Sequence, residues 1–193
     1  METIVDLTWP AGHLHKMKTQ SPVAVSVDAQ LVTLARRGDR EAFARLHRAY
    51  ASMVHGILLA RVPRGEVEDL AQDVFMTAMQ RLSALRDDNV FGGWLATIAR
   101  NRATDFHRQK RDDVELLDDV TADPSSHTDA EAAHVLILVK SLPEAYRETL
   151  ILRLVEGMTG PEIAERTGLT PGSVRVNLHR GMRMLREKLG WTS

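Results

Sequence analysis

Apolar residues recur every three or four positions along most of the chain from Asp28 onward, the spacing of helices that bury one face. Breaks at Gly38, Pro63–Gly65 and Asp87–Asn89 divide the first block, predicting helices over 28–36, 39–61, 66–84 and 91–109. A second periodic block predicts helices over 130–141, 143–156, 160–167 and 171–188. No segment alternates apolar and polar residues for long enough to suggest a strand. The expected fold is therefore all-α, with two small helical domains at 28–111 and 132–193. Residues 1–27 hold Trp9, Pro10, Gly12 and Pro22 without periodicity and read as a flexible N-terminal tail. His13 and His15 in that tail have no ligand cluster near them, so no metal site and no cofactor are expected.

The charge distribution sharpens this division. The 193 residues carry a net charge of −1, which conceals a partition. Residues 1–111 hold 16 Lys/Arg against 12 Asp/Glu, and 132–193 hold nine bases against six acids. Between them, 112–131 hold eight acids and no base, including the stretch Asp123-Pro124-Ser125-Ser126. That composition reads as a flexible acidic linker. Two basic blocks on an acidic tether suit two modules that touch an anionic partner. The absence of cysteine excludes a disulfide scaffold and Cys-based zinc sites. The longest apolar run, Val135–Val139, is far short of the roughly 20 residues that span a bilayer. No secretory signal opens the chain, so a cytoplasmic protein without membrane insertion is expected.

The segment from Met158 to Val174 carries the punctuation of a helix-turn-helix. Thr159 and Glu162 form a capping-box pattern, and Gly168 can take the left-handed conformation that ends a helix. Thr170 then caps a second helix, with Pro171 at its first position where a missing N–H is harmless. Along that helix Val174, Leu178, Gly181, Leu185 and Leu189 fall on one stripe. Arg175, His179, Arg183 and Arg186 fall on the other side, with Arg180 nearby. One packed face and one basic face are what a recognition helix in the major groove requires. An amphipathic helix with a solvated basic face would share the stripe, but not the turn chemistry before it.

In the first block, Val67, Ala71, Val74, Ala78 and Leu82 form the inward face of the helix over 66–84. Asp69, Gln72, Asp73 and Met76 lie opposite, with Met79 at the flank. That face is either solvated or a docking surface for a partner helix. The next helix turns Phe91, Leu95 and Ile98 inward, and gathers Arg100, Asn101, Thr104, Arg108 and Arg111 on another side. Trp94 at its edge is either core or a platform on which an unstacked base can lie.

Taken in order, these segments resemble the bacterial sigma-70 family. Glu68-Asp69-Leu70-Ala71-Gln72-Asp73-Val74-Phe75 and the run from Phe91 to Asn101 resemble its second conserved region. Ala35 through Phe43 resembles the opening of that domain, and Ser141-Leu142-Pro143-Glu144 through Arg180 resembles the fourth region. With no third domain between them, the layout looks like the extracytoplasmic function (ECF) type. The resemblance implies core polymerase binding, on the β′ clamp helices, by Asp69, Leu70, Gln72, Asp73, Phe75 and Met76. It implies −10 recognition at Asn101, against a flipped-out base, with 86–90 as the loop of its pocket, and the basic face read above adds Trp94, Arg100, Thr104, Arg108 and Arg111 to the expected −10 surface. It implies −35 recognition by Arg175, Asn177, His179 and Arg180, to which Ser173 and Arg183 of the same helix are added as expected contacts, with the second domain also near the β flap. Two features depart from the family pattern: Val176 through Met182 has fewer bases than usual, and Gly92-Gly93 loosens a helix start.

The expected function is thus promoter-specific initiation by an ECF-type sigma factor that performs no covalent chemistry, under the control of an anti-sigma partner. The alternative is a stand-alone helix-turn-helix repressor or activator, which would bind operators without polymerase. No HExxH, P-loop, Gly-x-Ser-x-Gly or dinucleotide fingerprint supports an enzyme.

Overall fold

A computed structural model of the chain describes residues 27–112 and 127–191. They form eight α-helices in chain order: α1 (Val27–Arg36), α2 (Arg40–Leu59), α3 (Val67–Arg81), α4 (Phe91–Asp112), α5 (His127–Lys140), α6 (Glu144–Leu154), α7 (Gly160–Thr167) and α8 (Pro171–Lys188). Short 3₁₀ turns occupy 64–66, 82–84 and 88–90, and no strand occurs among the described residues. The N-terminal tail and the central part of the acidic linker lie outside the described residues.

Helix ends follow local chemistry. Gly38 takes φ 95°, and the Asp39 carboxylate accepts from the Glu41 and Ala42 N–H groups to start α2. α5 begins at His127, inside the stretch expected to be linker. Helix α5 thus takes up 127–131 of the stretch expected to be linker, and 113–126 lie outside the described residues.

In the first unit, α2 is the central rod, fully burying Leu46, Met53, Val54, Ile57 and Leu58. α1, α3 and α4 pack around it, with Val74, Ala78, Phe91, Leu95 and Ala99 closing the core. In the second unit α6 supplies Leu150, Ile151 and Leu152 to α8 and α7, which contribute Val174, Leu185 and Ile163. Gly181 lets α8 approach α6 closely, since a Cβ there would lie 2.9 Å from Leu150 Cδ1.

The two units do not hang apart on the tether. Their cores merge into a single buried cluster, and α2 and α4 meet α6 and α7 directly. Three glycines stand at close approaches, and at Gly92 the neighbour is backbone. A Cβ on Gly56 would lie 2.7 Å from Leu152 Cδ2, and one on Gly92 would lie 2.5 Å from the Arg166 carbonyl oxygen. Gly93 faces Gly168, where a Cβ would lie 3.3 Å from its Cα. Each glycine costs a helix about 1 kcal/mol relative to alanine. The Gly92-Gly93 departure noted in the sequence therefore has a physical reason: the start of α4 seats the end of α7.

Polar contacts reinforce this seam. Lys140 Nζ and Arg147 Nη1 donate to the Val62 and Ala60 carbonyls, at 2.8 and 3.2 Å, supplying cations to the C-terminal end of α2. Arg166 donates to the Ala49 carbonyl and lies over the Tyr50 ring. Glu148 is gripped from both sides by the first unit: Arg100 reaches it with Nε and Nη2 at 3.2 and 2.7 Å, and Arg61 Nη2 reaches it at 2.6 Å. Burial pushes the Glu148 carboxyl up, but the Arg100 hydrogen bonds and the Arg61 charge outweigh it and hold the group below its ordinary range. A group lowered in this way adds stability above the ordinary glutamate range and loses it as pH falls through its own lower value.

Candidate functional site

α3 presents the first candidate surface. Asp69, Gln72, Met76 and Met79 are exposed together, Met76 at 50% and Met79 at 58%. They line one side of a shallow groove whose other walls include Phe43 and His47 of α2. Leu70 and Phe75 do not belong to this surface as freely accessible residues. Both are buried, Leu70 at 4% and Phe75 at 6% exposure, because α3 is covered by α2 on one side and α4 on another. Phe75 stacks against His47 with ring centroids 4.1 Å apart. Asp73 is half-buried and accepts from Arg102 Nη2 of α4 at 2.6 Å, so its first task is to tie α3 to α4.

α4 presents the second. Asn101 and Thr104 are exposed on successive turns, with the Thr104 hydroxyl donating to the Arg100 carbonyl at 3.0 Å. Arg108 is exposed and pairs with Asp105. Arg100, expected to face DNA, instead holds Glu148 of the second unit. Trp94 is half-buried beside Phe91, at 5.9 Å between centroids, and packs against the core cluster. The Arg111 side chain lies outside the described residues. The loop over 86–90 is fixed from α1: Thr33 Oγ1 donates to Asp88 at 2.7 Å, and Arg36 Nη2 pairs with it at 2.5 Å. Partial burial pushes the Asp88 carboxyl up, yet the Thr33 and Arg36 hydrogen bonds win and hold it below the usual carboxylate value. Sequence reasoning missed this anchor, because its partners stand 52 and 55 residues apart.

The helix-turn-helix supplies the third surface. Thr159 and Glu162 make both bonds of a capping box, Gly168 takes φ 73°, and Thr170 caps α8 with Pro171 in its first turn. Val174, Gly181 and Leu185 are buried, with Leu178 and Leu189 half-buried, as the stripe requires. Arg175, His179, Arg180 and Arg183 are exposed and Asn177 is half-buried. Arg175, His179 and Arg180 converge around one shallow depression with Val176. Ser173 has a different employment: its N–H and hydroxyl both engage Thr170 Oγ1, at 3.1 and 2.8 Å, completing the cap. Among the described residues no cluster of His, Asp or Glu could hold a metal ion. No helix there is long and apolar enough to cross a membrane.

An all-helical chain with an exposed acidic and Met-rich helix face in one unit and a basic helix-turn-helix in the other defines a class of two-part DNA-binding proteins. Comparison with known proteins identifies the family. Residues 46–112 match sigma-70 region 2, and residues 136–185 match sigma-70 region 4. The RNA polymerase sigma factor CarQ of Myxococcus xanthus is 34% identical over 162 residues, covering 80% of this chain and 93% of CarQ. The ECF RNA polymerase sigma-E factor of Escherichia coli K12 is 27% identical over 179 residues, covering 84% of this chain and 94% of the relative. In solved structures, CnrH in complex with the cytosolic domain of CnrY aligns with TM-score 0.62 at 25% identity, over 87% of this chain and all of CnrH. The chain belongs to the sigma-70 family of RNA polymerase sigma factors, in its ECF type.

Proposed function

We propose that the chain binds core RNA polymerase, delivers it to promoters with its own −10 and −35 elements, and helps open the −10 segment. The polymerase does the covalent chemistry, and the factor works in the cytoplasm as a non-enzymatic subunit. Asp69, Gln72 and Met76 meet the β′ clamp helices, with Leu70, Asp73 and Phe75 shaping that surface from behind. Asn101, Thr104 and Arg108, with Arg100, Arg111 and Trp94, face the −10 element. Arg175, Asn177, His179, Arg180 and Arg183 face the −35 element, Ser173 holds the start of that helix, and the second unit approaches the β flap. CnrH is held by the cytosolic domain of CnrY, and an anti-sigma protein is proposed as the equivalent partner here.

The observation that carries this reading is the pairing, in one chain, of the α3 face with a helix-turn-helix whose α8 exposes Arg175, His179 and Arg180. A stand-alone repressor has no use for the first surface. Size-exclusion chromatography with core polymerase and a promoter mobility shift separate the two. The chain should co-elute with core and shift promoter DNA only in its presence. A strong shift by the chain alone, without co-elution, would instead support the repressor.

Two substitutions test the assignments separately. Asp69→Arg reverses an exposed charge on α3 and should weaken core binding about tenfold at unchanged melting temperature. Asp73→Arg should lower the melting temperature as well, because it also abandons Arg102 beside a new like charge. On α8, Arg175→Ala and Arg180→Ala each remove a cation without disturbing the buried stripe. Loss of a base contact should cost about 1–3 kcal/mol at the −35 site alone, whereas loss of a phosphate contact should reduce the salt slope by about one. Salt titrations on intact and mutated −35 sites read the two outcomes, and no effect from either variant would move the recognition face elsewhere.

A further inference from the structure

Resting on the sigma-factor reading above, we propose that Val176 of α8 sets one letter of the −35 element: its exposed methyl groups pack against the C5-methyl group of a thymine in the major groove.

Three observations converge on this side chain. The first is exposure. Val176 is 40% exposed, and no other large apolar side chain among the described residues of α8 is exposed. At about 100° per residue it lies about 160° from both Val174 and Leu178, on the side away from the packed stripe. Packing therefore does not account for it. Nor does helix propensity, because valine is a poorer helix former than alanine, leucine or arginine. The second is company. Val176 shares one shallow depression with Arg175, His179 and Arg180. An apolar spot is thus bracketed by side chains suited to phosphates and polar base edges. The third is clearance. Helical side chains lean toward the N-terminus, here over Gly172 and Ser173. A Cβ on Gly172 would meet only Thr170 Oγ1, at 3.9 Å, and the Ser173 hydroxyl is turned to the same atom at 2.8 Å. The Val176 methyls are left uncovered near the end of the helix that leads into the groove.

The chemistry of the groove selects the occupant. Of the four bases only thymine shows an apolar group there, whereas guanine, adenine and cytosine show donors and acceptors. Valine has neither a donor nor an acceptor in its side chain, so it rewards a methyl group and leaves a polar edge unsatisfied. Branching at Cβ holds valine to essentially one rotamer on a helix, so both methyls are set before DNA arrives. Arg175, His179 and Arg180 then supply strength and register, while Val176 supplies selectivity at one base pair. This gives a use to the first residue of the stretch from Val176 to Met182, which departs from the family pattern.

Removal of one methyl group from DNA tests this. The probe is a promoter fragment that core polymerase transcribes only with the full-length factor, and the readout is holoenzyme affinity in a competition mobility shift at fixed salt. Each thymine of the −35 element, on either strand, is replaced singly by deoxyuridine, which keeps the base pair and loses only the methyl. At one position the replacement should weaken binding about fourfold, the equivalent of about 0.8 kcal/mol for one buried methyl-sized group. With the Val176→Ala factor the same replacement should change affinity less than about 1.5-fold, because the partner methyls are gone. If that pair is exchanged for C·G, 5-methylation of the cytosine should regain about fourfold with the parent factor and nothing with Val176→Ala. The melting temperature of Val176→Ala should not fall, since alanine is the better helix former and the site is outside the core. No thymine sensitive to methyl loss, or a sensitivity that persists undiminished in Val176→Ala, would overturn the inference. A fall in the melting temperature would overturn it as well, by showing that Val176 serves packing. Holoenzyme binding that ignores replacement of the whole −35 element would overturn the −35 reading beneath it, whereas binding that needs the element but ignores the methyl overturns the inference alone.

Discussion

Replacing Asn101 by alanine is expected to leave binding to core polymerase unchanged and to cut open-complex formation by roughly five- to 150-fold. Asn101 is exposed on α4, one turn before Thr104, on the surface assigned to the −10 element. Its amide offers both donors and acceptors to a base edge, and alanine offers neither. A good base contact is worth about 1–3 kcal/mol, which spans roughly five- to 150-fold in an equilibrium. The loss should be deepest at promoters that open reluctantly. Because Asn101 is outside the core, the melting temperature should not move, which separates lost recognition from lost fold. Permanganate reactivity of the −10 thymines reads the outcome, and wild-type reactivity in the variant would remove Asn101 from the site.

The largest stability effect is expected at Leu150. It is fully buried in α6 and lies against Gly181 of α8, the contact that orients the recognition helix. Leu150→Ala should cost about 2–5 kcal/mol, the range for emptying a packed core site. Gly181→Ala should also destabilise, because its new Cβ would lie 2.9 Å from Leu150 Cδ1 and 3.2 Å from Tyr146 Cβ. Part of that loss is offset by the gain of about 1 kcal/mol in helix propensity. Combining the two changes gives the new methyl the room that Leu150 vacates. The double variant should therefore be more stable than the sum of the single losses predicts, by about 0.5–3 kcal/mol. Strict additivity in denaturant melts would mean that the two helices do not meet at this contact.

Much of the fold was legible because its signals are local. The capping box at Thr159 and Glu162, the left-handed Gly168 and the Thr170-Pro171 start each act within four residues, and all three form as the sequence implies. The stripe on α8 was equally readable, since its period follows from the helix itself. Leu70 and Phe75 show the limit of a one-stripe reading. A helix packed between two neighbours buries a wider arc than a surface helix, and only the presence of α2 and α4 together reveals that.

The seam was invisible for a related reason. Arg100 read as a DNA contact because its neighbours are basic, and nothing within 40 residues points to Glu148. Gly92 and Gly93 looked like a loosened helix start, and Gly56 drew no notice, although all three face the backbone or side chains of a distant segment. Asp73 likewise looked free until α4 brought Arg102 beside it. Charge partition along the sequence carried no information about how α2 and α4 meet α6 and α7. A tether expected from composition is compatible with units that nevertheless pack, since loop closure becomes only slowly more unfavourable with loop length.

The central claim is that this chain gives core RNA polymerase its promoter specificity. Run-off transcription tests it most directly: purified core polymerase, the factor, and a library of upstream fragments from the same genome. The account predicts discrete transcripts that depend on the factor, arise from fragments sharing −10 and −35 elements, and fall sharply with Asn101→Ala. Identical transcript patterns with and without the factor, across the whole library, would contradict it.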